Sequence, residues 1–126
     1  MADIPGKGKV AVLKTSPETV LDDIERLMKL ADFETALPKS VPTGLKINIS
    51  WQTWYPACSS APWQIEGVIR ALQKAGYSDL VGVHNDTVVV NTADAELNNK
   101  HRFVTDQYGV PCLYLYNQDF EWLEYH

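Results

Sequence analysis

The sequence predicts an α/β fold with a mostly parallel sheet of about four strands. The chain has 126 residues, the length of one domain, and 45% of them are hydrophobic, enough for a single core. Short apolar runs rich in β-branched residues alternate with amphipathic helical stretches. This alternation is typical of βαβ units, whose right-handed crossovers place helices on the faces of a parallel sheet. We therefore predict that residues 1–126 form one domain, a Rossmann-like three-layer sandwich.

The first predicted strand is residues 9–14, a short run that contains Val10 and Val12. A helix follows, because Ser16 can cap it and Pro17 suits a first helical position. Its apolar residues recur at spacings of three and four and predict one buried stripe: Val20, Ile24, Leu27, Met28 and Ala31.

The second predicted strand is residues 44–50, and the loop that follows, residues 51–61, is rich in aromatic side chains. Pro62 lies near the first turn of a second predicted helix, for which Ser60 is a plausible cap. Gly76 is expected to end this helix in the left-handed conformation.

The third predicted strand is residues 80–84. Residues 87–90 fit either a short strand or the approach to a helix that Asn91 or Thr92 would cap and Gly109 would end. A fourth strand is predicted over residues 110–116, where a proline near the start is tolerated.

The charge balance and the cysteine count exclude several classes of protein. Eleven Lys and Arg against sixteen Asp and Glu give a net charge of -5, which argues against nucleic acid or an anionic membrane as a partner. No apolar run approaches the ~20 residues of a transmembrane helix, and no secretory signal is visible, so a cytoplasmic location is predicted. Two cysteines cannot supply a zinc ribbon or an iron–sulfur cluster, and no cofactor is predicted.

The carboxyl ends of the predicted strands carry polar side chains. Ligands of open parallel sheets bind beyond these ends, so a small molecule or an anion is the predicted ligand. Lys46 stands in an otherwise apolar strand, where it can bind a carboxylate or phosphate or form a structural ion pair with Asp86. The predicted ligand-binding residues are Lys46, Asn48, Ser59, Ser60, His84 and Asp86.

An enzyme is the first alternative. Cys58 precedes a predicted helix N-terminus, where a thiol is activated, and His84 is the candidate base beside it. Lys46 is a further catalytic candidate, as a base or through Schiff-base chemistry. His84 with Asp86 gives too few ligands for a metal, and no metal site is predicted.

A subunit-interaction module is the second alternative. Trp51 and Trp54 in the loop, together with Phe120, Trp122 and Tyr125 near the end, are numerous for a surface. Exposed aromatic residues at this density indicate an interface, so a homo-oligomer formed through them is expected under this alternative.

Four short motifs in order resemble the domain-of-unknown-function family numbered 362. The resemblance covers residues 8–118, and its motifs are residues 44–48, 59–62, 68–76 and 81–85. It implies an α/β fold with the site at the strand ends, and a chain that is the N-terminal part of a longer protein, with residues 119–126 beginning a further segment. Some members carry a ferredoxin-type cysteine cluster, which implies a redox connection, although this sequence supplies no such cysteines.

Overall fold

A parallel three-stranded sheet organises the protein. The structure, a computed structural model, describes residues 8–55, 57–86, 89–117 and 124. The strands are β1 (Thr43–Lys46), β2 (Leu80–His84) and β3 (Cys112–Tyr114), in the order β1-β2-β3 with both pairs parallel. The α/β class is therefore confirmed, with three strands among the described residues.

The helices form a single layer. α1 packs against α3 and α3 packs against α5, so the three helices lie side by side. Their bounds are α1 (Val20–Leu30), α2 (Phe33–Ala36), α3 (Pro62–Lys74), α4 (Thr92–Asn98) and α5 (His101–Gln107), with a short 3₁₀ turn at Leu115–Asn117.

The burial of the central strand shows which face of the sheet the helices cover. Leu80, Gly82 and His84 are buried, whereas Val81 and Val83 on the opposite face are half-buried. Leu80 belongs to the same core cluster as apolar residues of α3 and α5. The described residues thus supply two layers of the predicted three, one of strands and one of helices.

Residues 9–14, predicted as the first strand, are not a strand in the structure. Val10 and Val12 are 87% and 84% exposed, and the segment pairs with neither β1 nor any other described strand. Leu13 instead borders the groove between α1 and α3, where it lies near Ile24 and Trp63. A strand is stable only when its backbone groups are paired. An apolar segment that packs into a groove between helices instead does not need to join the sheet.

The first helix begins later than Ser16 and Pro17 predict. Residues 16–19 form a turn in which the Thr19 amide donates to the Ser16 carbonyl at 3.2 Å, and α1 starts at Val20. The Thr19 hydroxyl donates to the buried Asp23 carboxylate at 2.6 Å, which holds the turn against the helix.

The C-terminal ends of α3 and α5 and the N-terminal end of α4 lie where the sequence predicts them. Gly76 and Gly109 have φ values of 90° and 64° and follow α3 and α5, as predicted. Asn91 caps α4 by accepting from the Asp94 amide at 3.1 Å. Ser60, in contrast, is not the cap of α3, because Ala61 holds that position and its amide donates to the side chain of Gln64.

The remaining segment predictions are resolved in part. The strand expected over residues 44–50 ends at Lys46, and the one over 110–116 covers Cys112–Tyr114. The helix expected after Asn91 is broken at Lys100, which has a φ of 66°. Residues 87–88 lie outside the described part of the chain, as do Phe120, Trp122 and Tyr125 and the predicted segment 119–126 apart from Glu124.

In the described part of the chain, every helix is too short or too polar to cross a membrane.

Glu25 joins α1 to α3 and makes the packing of the two helices sensitive to acid. Its carboxylate lies 2.5 Å from Lys29 Nζ and 2.8 Å from Lys74 Nζ. The hydrogen bonds from Lys29 and then Lys74 lower the pKa of Glu25 from its ordinary value of 4.5 to about 2. Because the folded pKa is depressed, this contribution to stability is complete above the unfolded pKa and is lost as the pH falls from 4.5 towards 2.

Replacing Glu25 by Gln is therefore expected to reduce the acid sensitivity of folding. Urea midpoints measured at pH 7 and at pH 3 should differ less in Glu25→Gln than in the unchanged protein. Equal pH dependence in the two proteins would show that the bridge does not contribute to the acid sensitivity of folding.

Candidate functional site

The aromatic loop, residues 51–61, is closed at its base by two serines. The Ser60 amide donates to the Asn48 carbonyl at 3.0 Å, and the Asn48 amide donates to the Ser60 hydroxyl at 3.2 Å. The Ser50 amide donates to the Ser59 hydroxyl at 3.2 Å. These hydrogen bonds join the two ends of the loop and therefore restrict the position of its tip.

A second set of hydrogen bonds ties the loop to α4. Asn99 Nδ2 donates to the Trp51 carbonyl at 3.0 Å, and Asn98 Nδ2 donates to the Gln52 carbonyl at 2.9 Å. The Gln52 side chain in turn accepts from the Asn91 amide at 3.1 Å. These hydrogen bonds hold the loop on both sides without a ligand. Less conformational entropy is therefore lost when a ligand binds.

The held loop, the start of α3 and the α4–α5 junction enclose a cleft of about 650 Å³. We call it the aromatic cleft. Its volume lies within the range of small-molecule sites. Trp54, Tyr55 and Trp63 border it and are about half exposed. The other described lining residues are Ala57, Ser59, Ser60, Ala61, Pro62, Gln64, Asn99 and Lys100.

The described residues that line the aromatic cleft carry a net positive charge, although the chain as a whole is acidic. Among the described residues that line it, Lys100 is the one cation and no carboxylate is present. The N-terminal end of α3 opens onto the same space through Pro62 and Trp63, and the helix dipole is positive there. A ligand with an aromatic body and an acidic group would match both properties.

The predicted ligand-binding residues are divided among four places. Ser59 and Ser60 line the aromatic cleft, and Asn48 supports it from below through its bonds to Ser60. Lys46 borders a separate cavity of about 370 Å³ along the open edge of β1, which it shares with Ser60. Asp86 accepts a hydrogen bond from the Thr92 hydroxyl at 3.1 Å near the start of α4.

His84 is buried at the end of β2 rather than exposed at the sheet edge. Its Nε2 lies 2.9 Å from Oε1 of Glu96, and both side chains are only 1% exposed. The ring also stacks on Tyr114 of β3, with centroids 5.9 Å apart. His84 therefore belongs to an internal cluster and does not line the aromatic cleft.

Glu96 is the centre of this cluster. Burial raises the pKa of its carboxyl group, but the contacts with His84 and Tyr114 outweigh burial, and the pKa lies below its ordinary value. The Tyr114 hydroxyl donates to Oε2 at 2.6 Å, and Arg102 donates to the same oxygen at 3.1 Å. Glu96 is thus a buried carboxylate that keeps its charge at neutral pH.

The two cysteines occupy different environments. Cys58 is half-buried in the aromatic loop, and no hydrogen bond among the described residues joins it to His84. Cys112 lies in β3, where burial and then the charge of Glu96 raise the pKa of its thiol to about 11. The Cys112 thiol therefore stays protonated at neutral pH.

Sequence reasoning missed three residues of these sites. From the sequence alone, Trp63 is expected at an exposed position of an amphipathic helix. Lys100 is one of several lysines expected on the surface. Glu96 reads as a solvated helix residue, although it is 1% exposed. No local pattern marks Lys100 or Trp63, because their proximity depends on tertiary packing.

Comparison with protein-family models, with curated proteins and with solved structures finds no match to this chain. The resemblance to the family numbered 362 stays a prediction.

Proposed function

We propose that this domain binds a small, planar, acidic aromatic molecule in the aromatic cleft. The observation that carries the proposal is the lining of the cleft: three aromatic side chains and one lysine, with no carboxylate among the described lining residues. Aromatic faces select a flat apolar ligand, and a lone cation at the rim selects an acidic group on it.

The proposed ligand belongs to the class that the sequence predicts, a small molecule or an anion, but it binds in the aromatic cleft. Ser59 and Ser60 remain part of the site, as lining and as supports of the loop. Lys100 takes the anion-binding role that the sequence assigns to Lys46, because Lys46 borders a different cavity. The cytoplasmic location stays a prediction.

The test uses 2-naphthoate and its neutral amide as probes, which share the same rings and differ in charge. Binding is followed by tryptophan fluorescence and by calorimetry. Trp63→Ala removes a stacking face and its buried area, together about 2 kcal/mol, so naphthoate affinity should fall roughly thirtyfold. Lys100→Gln should weaken naphthoate about fivefold, as expected for a partly exposed ion pair of ~1 kcal/mol, and leave the amide unchanged.

Trp51→Ala is the matched control. Trp51 lies in the aromatic loop and is exposed to nearly the same extent as Trp63 of α3, 42% against 45%, but it does not line the aromatic cleft. Its carbonyl, which accepts from Asn99, is retained. An equal loss of affinity in Trp51→Ala and Trp63→Ala, or no saturable binding of either probe, would refute the proposal.

The interaction-module alternative makes a different prediction from the same exposed aromatic residues. If they formed a subunit interface, light scattering would show a dimer whose population rises with concentration. We expect a monomer across the concentration range, because the loop tip borders a concave cleft rather than a flat patch.

A further inference from the structure

His84, Glu96 and Cys112 bring three different donor atoms together beneath the helical layer. A nitrogen of His84, a carboxylate oxygen of Glu96 and Sγ of Cys112 all lie within 4.8 Å of one another. The residues come from β2, α4 and β3. His84 lies two residues after Gly82, the register partner of Cys112, so the two side chains lie on the same face of adjacent strands. A tetrahedral zinc ion with bonds of about 2.0–2.3 Å holds its donors about 3.4 Å apart, so the His84–Glu96 pair, now 2.9 Å apart, would open and the widest pair would close, with a water molecule as the fourth ligand.

Two of these atoms lie close together without the hydrogen bond that burial normally demands. Nε2 of His84 and Oε1 of Glu96 are 2.9 Å apart, but neither makes a well-aligned hydrogen bond. Buried polar atoms without partners are rare in proteins and require an explanation. A cation bound by both atoms would give each of them a partner.

We propose that His84, Glu96 and Cys112 form a binding site for a divalent transition metal ion, with Zn²⁺ as the best match. The set of one nitrogen, one oxygen and one sulfur donor is typical of zinc, which accepts all three. On binding, the Cys112 thiol releases its proton to water, and the negative charges of the Cys112 thiolate and the Glu96 carboxylate neutralise the ion. A neutral site of this kind avoids the cost of an uncompensated buried charge.

The second oxygen of Glu96 is already held in place for this role. Tyr114 and Arg102 both donate to Oε2, which fixes the carboxylate and leaves Oε1 directed towards His84. Hydrogen bonds of this kind orient metal ligands in known sites and increase affinity. Tyr114 and Arg102 are therefore positioning residues, which act through Glu96.

An ion can reach the donors from one side of the molecule. Cys112 and Tyr114 line a surface cavity of about 280 Å³ together with Arg102, Thr105 and Asp106. Cys112 is half-buried, whereas His84 and Glu96 are enclosed, so the cavity reaches the cluster on the side of Cys112.

Titration of the full chain with Co²⁺ tests the proposal. Cobalt replaces zinc in such sites and gives a sulfur-to-metal charge-transfer band with strong visible absorption when it is tetrahedral and bound to thiolate. We expect one equivalent of Co²⁺ to produce these bands and one equivalent of Zn²⁺ to abolish them. Absence of the thiolate band in the unchanged protein would overturn the proposal without any variant.

Variants assign the band to the cluster. Cys112→Ser should eliminate the charge-transfer band, and Cys58→Ser, the matched control at the other cysteine, should retain it. Tyr114→Phe keeps every donor atom and should weaken binding about 10–100-fold, which also provides the test if Cys112→Ser does not fold. A band that persists in Cys112→Ser, or one that is lost in Cys58→Ser, would contradict the assignment.

Discussion

Replacing Glu96 by alanine is expected to lower the free energy of unfolding of the metal-free protein by about 3 kcal/mol. Glu96 is 1% exposed and contacts His84, Arg102 and Tyr114. Removing one member of a buried charged network leaves the others without partners, which costs about 3–5 kcal/mol. The lower value is expected because Arg102, 40% exposed, can turn to water.

Urea unfolding at pH 7 without added metal measures this effect, and Glu34→Ala is the control. Glu34 also pairs with a cation, Lys39, but its side chain is 46% exposed. Exposed pairs contribute about 0–1 kcal/mol, so Glu34→Ala should change stability by ~0.5 kcal/mol. Similar losses in the two variants would show that the buried network contributes no more than a surface ion pair.

Replacing Gly67 by alanine is expected to destabilise the protein by about 1–3 kcal/mol, although alanine is the better helix former. Gly67 lies in the middle of α3, where α1 approaches closely. A Cβ atom at Gly67 would lie 2.4 Å from Cδ1 and 2.9 Å from Cβ of Ile24. The two helices would have to separate, which outweighs the ~1 kcal/mol gained from helix propensity.

A double-mutant cycle with Ile24→Ala tests this contact. Removing the Ile24 Cδ1 atom relieves the closest overlap, so the double variant should be more stable, by about 1 kcal/mol or more, than the two single losses predict. Gly44→Ala is the control, because a Cβ there would meet only Val83 at an ordinary 3.5 Å. Strict additivity of Gly67→Ala and Ile24→Ala would show that the close approach is not what constrains Gly67.

The features predicted correctly from the sequence are those that local chemistry determines. Gly76 and Gly109 adopt positive φ after their helices, and Asn91 caps α4, because each depends on the backbone within a few residues. The strand at residues 80–84 has the bounds that its apolar run predicts. It lies at the centre of the sheet, so both of its edges are paired.

The features that depended on distant partners were predicted less well. Residues 9–14 have the composition of a strand, but composition does not provide a neighbouring edge, and Leu13 enters the groove beside α1 instead. The break at Lys100 divides one expected helix into α4 and α5. That break also places Lys100 at the aromatic cleft, which no local pattern could indicate.

The candidate site shows the same division. Ser59 and Ser60 were predicted from their position between a strand end and a helix start, and they line the cleft. His84 was predicted from its place at a strand end, but the carboxylate that holds it belongs to Glu96, on a later helix. Two buried groups stabilise each other only after folding, so neither reveals the other in the sequence.

The most direct test of the proposed function is a titration with 2-naphthoate monitored through the tryptophan indole N–H signals in ¹H–¹⁵N spectra. Trp54 and Trp63 line the aromatic cleft, whereas Trp51, in the same loop as Trp54, lies outside the cleft. Saturable shifts of the Trp54 and Trp63 signals, with the Trp51 signal unchanged, are the predicted result. Unchanged Trp54 and Trp63 signals at saturating probe, or equal shifts at all three residues, would contradict the proposal that the cleft is the ligand site.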